Sequence, residues 1–189
     1  SYQTRSSVSD IIFPALGRSG KLAVLAFIFT IPISIFAGIY AARRKDKLAD
    51  RVIVNAGLAS SSIPEFVTAA VLLAVFAVEL GWGKAFANPP DGTSLFGQLE
   101  YLWLPAMAMA IAYFGYIARM TRAGVITALN ADYTRTATMK GMSSSQVMRR
   151  HILRNALAPT ITVISVQIGY LIGAVIGVER VFNYSGLGS

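Results

Sequence analysis

The sequence predicts an all-α, polytopic transmembrane helical bundle with about four spanning helices, and three observations carry that expectation. Apolar residues come in runs of bilayer length, and basic residues gather in alternate flanking segments. Charged residues make up only 14% of the chain against 54% hydrophobic, where soluble domains carry about a quarter. The 189 residues include no cysteine, which excludes a disulfide framework, a zinc–thiolate site and a thiol nucleophile.

The first span is "KLAVLAFIFTIPISIFAGIYAA", residues 21–42, with one charge at its edge. At about 1.5 Å per residue it crosses a hydrocarbon core of about 30 Å. Pro32 is tolerated there because neighbouring helices can satisfy the carbonyl it frees. Residues 1–20, polar at first and then weakly apolar, read as an exterior segment approaching the membrane. The span ends at "RRKDK", 43–47, and 48–61 reads as a separate helix leading into the second span, 63–80. Ser62 is the expected N-cap of that span, with Glu65 as its capping-box partner and Pro64 in the first turn.

Residues 81–101, with the "NPPDG" turn cluster, read as an extramembrane loop. The third span covers 102–120, with Tyr101 and Trp103 placed like an aromatic belt. The fourth, 156–178, carries Gly169, Gly173 and Gly177 at four-residue spacing, a stripe along which another helix could approach closely. The chain begins at Ser1 and stops at "GLGS", and it reads as one permeation-type membrane domain, 1–189, truncated at both ends.

Orientation follows from the positive-inside rule. Segments 43–56 and 119–155 hold twelve of the basic residues; the three segments of opposite parity hold Arg5, Arg18, Lys21, Lys84 and Arg180. The first two segments are therefore expected on the cytoplasmic side. The net charge of +8 is a topology signal, and nucleic acid has no special claim on it.

Within the second basic segment, residues 130–155 form an ordered polar passage. Asn130 or Asp132 reads as the N-cap of a short helix closed by Gly141, and Ser143 with Gln146 as a capping box opening a second helix. Ala137 and Gly141, four apart, give a small-residue face. The residues alone leave two readings open: a helix pair on which a partner docks, or an amphipathic segment on anionic lipid helped by Arg149, Arg150 and Arg154.

From "YIARMTRAGVITALNADYTRTATMKG" through "RRHILRNALAP", "VERVF" and "GLG", the chain closely resembles the membrane subunit of bacterial ABC importers for dipeptides, oligopeptides and nickel. The similarity is strongest over about 113–188 and weaker over the first span and "IPEF", 63–66. The resemblance implies the type I ABC importer permease fold, with 130–155 as the coupling segment that fits a cytoplasmic ATPase subunit. It implies ATPase contacts at Asp132, Tyr133, Arg135, Thr136, Ala137, Lys140, Gly141 and Ser143. Arg135, Thr136 and Ala137 take the Glu-Ala-Ala positions of the general importer motif, and Gly141 takes its glycine. Arg154 stands where that motif has proline, and the proline comes at Pro159, as in the peptide and nickel branch. Also implied are a second related permease, two ATP-binding subunits and an extracytoplasmic solute-binding protein. ATP and magnesium would sit on the partner subunits, with no cofactor on this chain.

Glu65 is either a helix cap or a lining residue of the translocation path, since charges at membrane depth usually face cavities. Gln167, mid-span, calls for an interhelical hydrogen bond or a place on the path. Glu179 and Phe182 match the resembling family's motif and are expected, with Gly186 and Gly188, at an outward gate or in fixing that turn. His151 reads as a solvated helix position. "GRSGK", 17–21, lacks the spacing of a phosphate-binding loop, and one histidine without cysteine makes no metal site. No nucleophile triad or paired acid set marks an enzyme. Two rivals belong to other classes: a secondary transporter or channel, which would need more ion-coupling charges inside its spans, and a non-transporting assembly protein, which would need no polar path. The substrate, and whether the permease pairs with itself or with a different chain, are not written in these residues.

Overall fold

The computed structural model describes residues 8–90 and 92–188. Arg5, Asp91 of the turn cluster and the terminal Ser189 lie outside the described residues. Among the described residues every regular element is helical: α1 Val8–Arg43, α2 Leu48–Ser62, α3 Glu65–Leu72, α4 Leu95–Leu129, α5 Asp132–Met139, α6 Ser144–Val147 and α7 Leu153–Val181. Two wider π-helical turns continue α3 over Leu73–Glu79 and join α6 to α7 over Met148–Ile152.

Three helical stretches are long and apolar enough to cross a membrane: Ser9–Arg43, Phe96–Leu129 and Ser144–Leu171. A fourth exists if the broken pair Leu48–Ser62 and Glu65–Glu79 is one span. The helices outrun the apolar runs. Helix α1 reaches back to Val8, with Asp10 in its first turn and Arg43 in its last, each the favourable sign for its end of the helix dipole.

Helix α4 begins at Leu95, so 95–101, expected as loop, is helix. The Ser94 hydroxyl accepts the Gly97 amide at 3.2 Å, and the Gln98 side chain donates to the Thr93 carbonyl at 2.9 Å. The first bond satisfies an amide that the first turn of a helix leaves open, and the second ties the helix side chain back to the preceding turn.

The expected capping box of Ser62 with Glu65 is not formed. The Ser62 hydroxyl donates back to the Leu58 carbonyl at 2.8 Å, while Ser60 and Ser61 both donate to the Gly57 carbonyl, at 3.1 Å and 2.8 Å. The serine run thus bonds back onto carbonyls of the last turns of α2, which leaves no hydroxyl to cap α3. Pro64 caps α3 instead, with φ −56° and ψ 141°. Its carbonyl accepts the Val67 and Thr68 amides at 3.0 Å and 3.2 Å. Proline fixes φ and has no N–H to satisfy, so the new helix starts directly after it.

The chain divides into two compact units. One holds the chain up to Thr30, Ile63–Ala112 and the chain from Gly169; the other holds Ile31–Ser62 and Tyr113–Ile168. The core of the first unit includes Leu22, Leu104, Met109, Val178 and Phe182, each no more than 1% exposed. Phe76 packs against Trp82 and edge-on against Trp103, with centroids 5.9 Å and 6.4 Å apart, so Trp103 has a packing partner inside this unit.

In the second unit, α2 and α4 meet where Gly57 faces Gly115. A Cβ on Gly57 would stand 3.0 Å from the Gly115 Cα, and one on Gly115 would run into the Gly57 carbonyl oxygen and the Ser61 hydroxyl. Only glycine allows this approach. The stripe singled out in the sequence is different: among the described residues, nothing from outside their own helix turn lies within 4 Å of a Cβ position at Gly169 or Gly173. Those two glycines lead onto an open face of α7, while the third, Gly177, packs on Phe66 of α3, its Cβ position 3.4 Å from the Phe66 Cβ.

Candidate functional site

The polar passage folds as two helices around a glycine. Ala131, with φ −77° and ψ 148°, is the N-cap of α5 and offers no side-chain bond. Asn130 and Asp132, the expected caps, do not fill that role. Asp132 is instead the first helical residue, where a carboxylate suits the positive end of the helix dipole. The Ala131 carbonyl accepts the Thr134 and Arg135 amides at 3.0 Å and 3.3 Å. The Thr134 hydroxyl donates to the Ala128 carbonyl at 2.7 Å, pinning α5 to the end of α4.

At its far end α5 closes in a Schellman turn. The Gly141 amide donates to the Thr138 carbonyl at 3.0 Å and the Met142 amide to the Ala137 carbonyl at 3.3 Å. Those two bonds require a left-handed residue after the C-cap, and Gly141 has φ 77°. Two residues on, the predicted capping box is formed. The Ser143 amide donates to Gln146 Oε1 at 3.0 Å, and the Gln146 amide to the Ser143 hydroxyl at 3.4 Å.

The two sides of α5 differ sharply. Thr134 and Ala137 are buried, the latter 3% exposed. Ala137 sits in a cluster with Ala42, Val125, Ala128, Val147, Ile152 and Ala156. Asp132, Tyr133, Arg135, Thr136, Met139 and Lys140 are exposed, Met139 at 76%. The small-residue docking face expected from Ala137 and Gly141 is therefore divided. Ala137 faces the chain's own core, because a helix of eight residues must bury one stripe to be held at all. Gly141 remains exposed, with open space around it, as does Ser143. On the helix beyond, Arg149, Arg150 and Arg154 are exposed and His151 is half-buried.

A second polar contact supports this region. The Arg122 guanidinium on α4 donates to both Asp50 oxygens on α2, Nε to Oδ1 at 2.5 Å and Nη2 to Oδ2 at 2.6 Å. Close by in sequence, the hydroxyls of Thr121 and Thr160 lie 3.2 Å apart and buried, linking α4 to α7. Sequence reading missed the Asp50–Arg122 pair, counting both residues only as charges. They are 72 residues apart, and no local pattern announces such a pairing.

In the first unit, the residues after α7 fold back over Glu179. This carboxylate, 1% exposed, accepts the Ser19 hydroxyl at 2.5 Å and the Gly188 amide at 2.9 Å. The Ser19 oxygen in turn accepts the Leu187 amide at 3.0 Å. A Cβ at Gly186 would collide with the Glu179 carboxylate. Phe182 is fully buried, and its carbonyl accepts the Ala87 amide at 2.9 Å. Asn88 donates to the Asn183 carbonyl and accepts the Ser185 amide, at 2.9 Å and 3.2 Å.

Arg18 and Tyr184 complete this cluster. The Tyr184 hydroxyl donates to the Arg18 carbonyl at 3.1 Å, and Arg18 donates to the Ser185 carbonyl at 3.0 Å. Burial, and then the nearby Glu179 charge, push the Tyr184 phenol up to about 12, with Arg18 opposing. Glu179, Phe182, Gly186 and Gly188 are thus gathered into one knot, to which Ser19, Asn88 and Tyr184 contribute unannounced.

Glu65 takes no part in that knot and stands half-buried in the first turn of α3. Gln167, in the second unit, is 7% exposed. Its amide makes no hydrogen bond to another described residue, so the expected interhelical bond is not formed there.

The family model for the binding-protein-dependent transport system inner membrane component matches residues 34–189. A peptide transport system permease protein of Brucella abortus is 37% identical over 188 residues, covering 100% of this chain and 60% of that protein. The dipeptide transport system permease protein DppB of Alkalihalophilus pseudofirmus is 34% identical over 208 residues, covering 100% and 62%. The glutathione transport system permease protein GsiC of Escherichia coli is 34% identical over 185 residues, covering 98% and 58%. The chain spans about three fifths of the length of these curated relatives. Among solved structures, the crystal structure of an amino acid ABC transporter with histidines matches with TM-score 0.68 at 19% identity. It covers 95% of this chain and 75% of that one, a likeness of fold. The all-α membrane architecture and the matched residues together place the chain in the family of binding-protein-dependent transport system inner membrane components.

Proposed function

We propose that this chain is the transmembrane subunit of an ATP-driven ABC importer and forms half of a translocation pathway for short peptides. The observation that carries the reading is the two-sided α5. Its inner stripe is locked into the protein core, its C-terminal end is closed by a Schellman turn and followed by a capping box, and its outer face is left free. A rigid helix of this kind passes a displacement on to the helices beneath it, whereas a loop would absorb it. One of two ATP-binding subunits would contact Asp132, Tyr133, Arg135, Thr136, Met139 and Lys140, with Gly141 and Ser143 shaping the end of the contact. ATP and magnesium are held by those subunits, and this chain carries no cofactor and no catalytic residue. A second, related permease completes the pathway, and an extracytoplasmic binding protein delivers the substrate.

The peptide class rests on the names of the relatives, which are permeases for peptides, dipeptides and glutathione. The position of the chain in the bacterial inner membrane, multi-pass with 43–56 and 119–155 cytoplasmic, rests on the basic flanks. Glu179 and Phe182 belong to a knot that fixes the extracytoplasmic turn; Glu65 and Gln167 are the candidates for the pathway wall.

The test is reconstitution of the full-length permease with its partner permease, ATPases and binding protein in vesicles. Labelled dipeptide and glutathione uptake should require ATP and should fall when Met139 and Tyr133 are changed to Asp. Uptake that persists without the ATPase subunits would point to a secondary transporter and overturn the reading.

A further inference from the structure

The Asp50–Arg122 pair joins the start of α2 to α4 and has a geometry that packing alone does not call for. Side-chain exposure is 4% for Asp50 and 25% for Arg122. Two parallel bonds join the guanidinium to the carboxylate, and Asp50 Oδ2 also accepts the Asp46 amide at 2.9 Å. Asp46 is held at φ 65°, a conformation that non-glycine residues seldom adopt. A buried ion pair gives little net stability over an apolar pair of similar size. A bidentate fork does add direction, because it fixes both the distance and the relative rotation of the two helices.

The position of the pair shows what that direction governs. Arg122 is one helical turn before Val125, and the Ala42 carbonyl accepts the Lys45 amide at 3.3 Å where α1 leads into the turn that Asp46 and Asp50 organise. Val125 and Ala42 both belong to the cluster that seats Ala137 of α5. The pair therefore closes a ring through the end of α1, the 44–47 turn, the start of α2, α4 and α5.

We propose that Asp50 and Arg122 are a positioning pair that locks the start of α2 to the bed of α5, so that the two helices move as one body when a partner ATPase displaces α5. The proposal rests on the reading of α5 as the ATPase contact. Without the fork, α5 would rock on an apolar cushion of small side chains, and part of its displacement would be lost before reaching α2.

The experiment uses the full-length permease assembled with its partner permease and ATPases, with any cysteines elsewhere removed. Spin labels are placed at Arg51→Cys on α2 and Thr138→Cys on α5, both exposed positions, the second outside the residues proposed to touch the ATPase. Inter-label distances are measured without nucleotide and with magnesium and a non-hydrolysable ATP analogue. The expected result is one narrow distribution, unchanged by the nucleotide. Arg122→Gln should broaden it and make it shift with nucleotide. Arg122→Lys, which keeps the charge and loses the fork, should do so to a smaller extent, and it decides the matter if Arg122→Gln does not assemble.

A nucleotide-dependent distance in the chain with Asp50 and Arg122 intact would overturn the proposal. So would a narrow, invariant distance in both Arg122 variants, or in Asp50→Leu/Arg122→Met, which would show that packing suffices. ATPase retention is measured in the same preparations. Retention by every variant together with a shifting distance isolates the pair as the cause. Failure of the unsubstituted permease to retain ATPase would overturn the reading of α5, and this proposal with it.

Discussion

Ala137 and Met139 stand two residues apart on α5 and face opposite ways, one 3% exposed within the core cluster and the other 76% exposed. Two residues turn a helix by about 200°, so neighbours of similar apolar character are divided between fold and surface. Enlarging the inner one, Ala137→Leu, should cost about 1–3 kcal/mol of stability by overpacking. Met139→Asp should leave thermal unfolding nearly unchanged while weakening ATPase co-purification. Equal loss of ATPase retention without a drop in melting temperature for Ala137→Leu would contradict this assignment.

Gly141 holds φ 77° with open space around it, so substitution there meets backbone strain and no clash within the chain. Gly141→Val should cost at least about 1–2 kcal/mol, the ordinary penalty of a left-handed L-residue. Gly141→Asn should cost less, because asparagine tolerates that region. If the Schellman turn is what stiffens the segment, hydrogen exchange at the 140–143 amides will quicken in the valine variant first.

The contact of Gly57 with Gly115 brings two backbones together, and a side chain at either position must push the helices apart. Gly115→Ala is expected to lower stability by about 1–3 kcal/mol, read as an earlier melting transition in detergent. Gly169→Ala, on the open face of α7, is expected to be neutral or mildly stabilising, since alanine favours the helix by roughly 1 kcal/mol. A loss at Gly169 that appears only when the second permease is present would place that permease on the stripe.

Tyr184 gives the protein a pH dependence at the alkaline end. Its ordinary value is 10.0, and burial and Glu179 raise it to about 12 in the fold. The fold therefore favours the neutral phenol. That contribution is complete below pH 10 and is lost as the pH rises through the interval up to about 12. Chemical denaturation followed across that interval should show stability declining, and Tyr184→Phe should flatten the decline. The same variant should cost about 1 kcal/mol at neutral pH through the bond lost to the Arg18 carbonyl.

Glu179 is the charge on which the knot after α7 depends. Ser19→Ala removes a donor from a buried carboxylate, and such a loss is expected to cost about 1–3 kcal/mol. Gly186→Ala should be worse, since its methyl group would occupy the position of the carboxylate. Limited proteolysis at 183–188 would report both changes, and a turn that stays resistant in each would refute the arrangement.

Much of this architecture was legible in the residues themselves. The spans could be read because lipid demands long apolar helices. The glycine turn and capping box within 130–155 could be read because Gly141, Ser143 and Gln146 act through bonds to backbone groups only a few residues away. Those are local rules, and the Ser143–Gln146 box and the positive φ of Gly141 appear where they were expected. The same kind of rule misplaced a cap at Ser62, where the hydroxyl had a nearer carbonyl at Leu58.

Tertiary structure decided what no window of sequence contains. It chose which side of α5 faces inward and paired Asp50 with Arg122 across 72 residues. It set Gly57 against Gly115 and folded the tail back over Glu179. Each depends on which distant helix lies alongside, and that is settled by packing the whole chain at once rather than by the propensities of neighbouring residues.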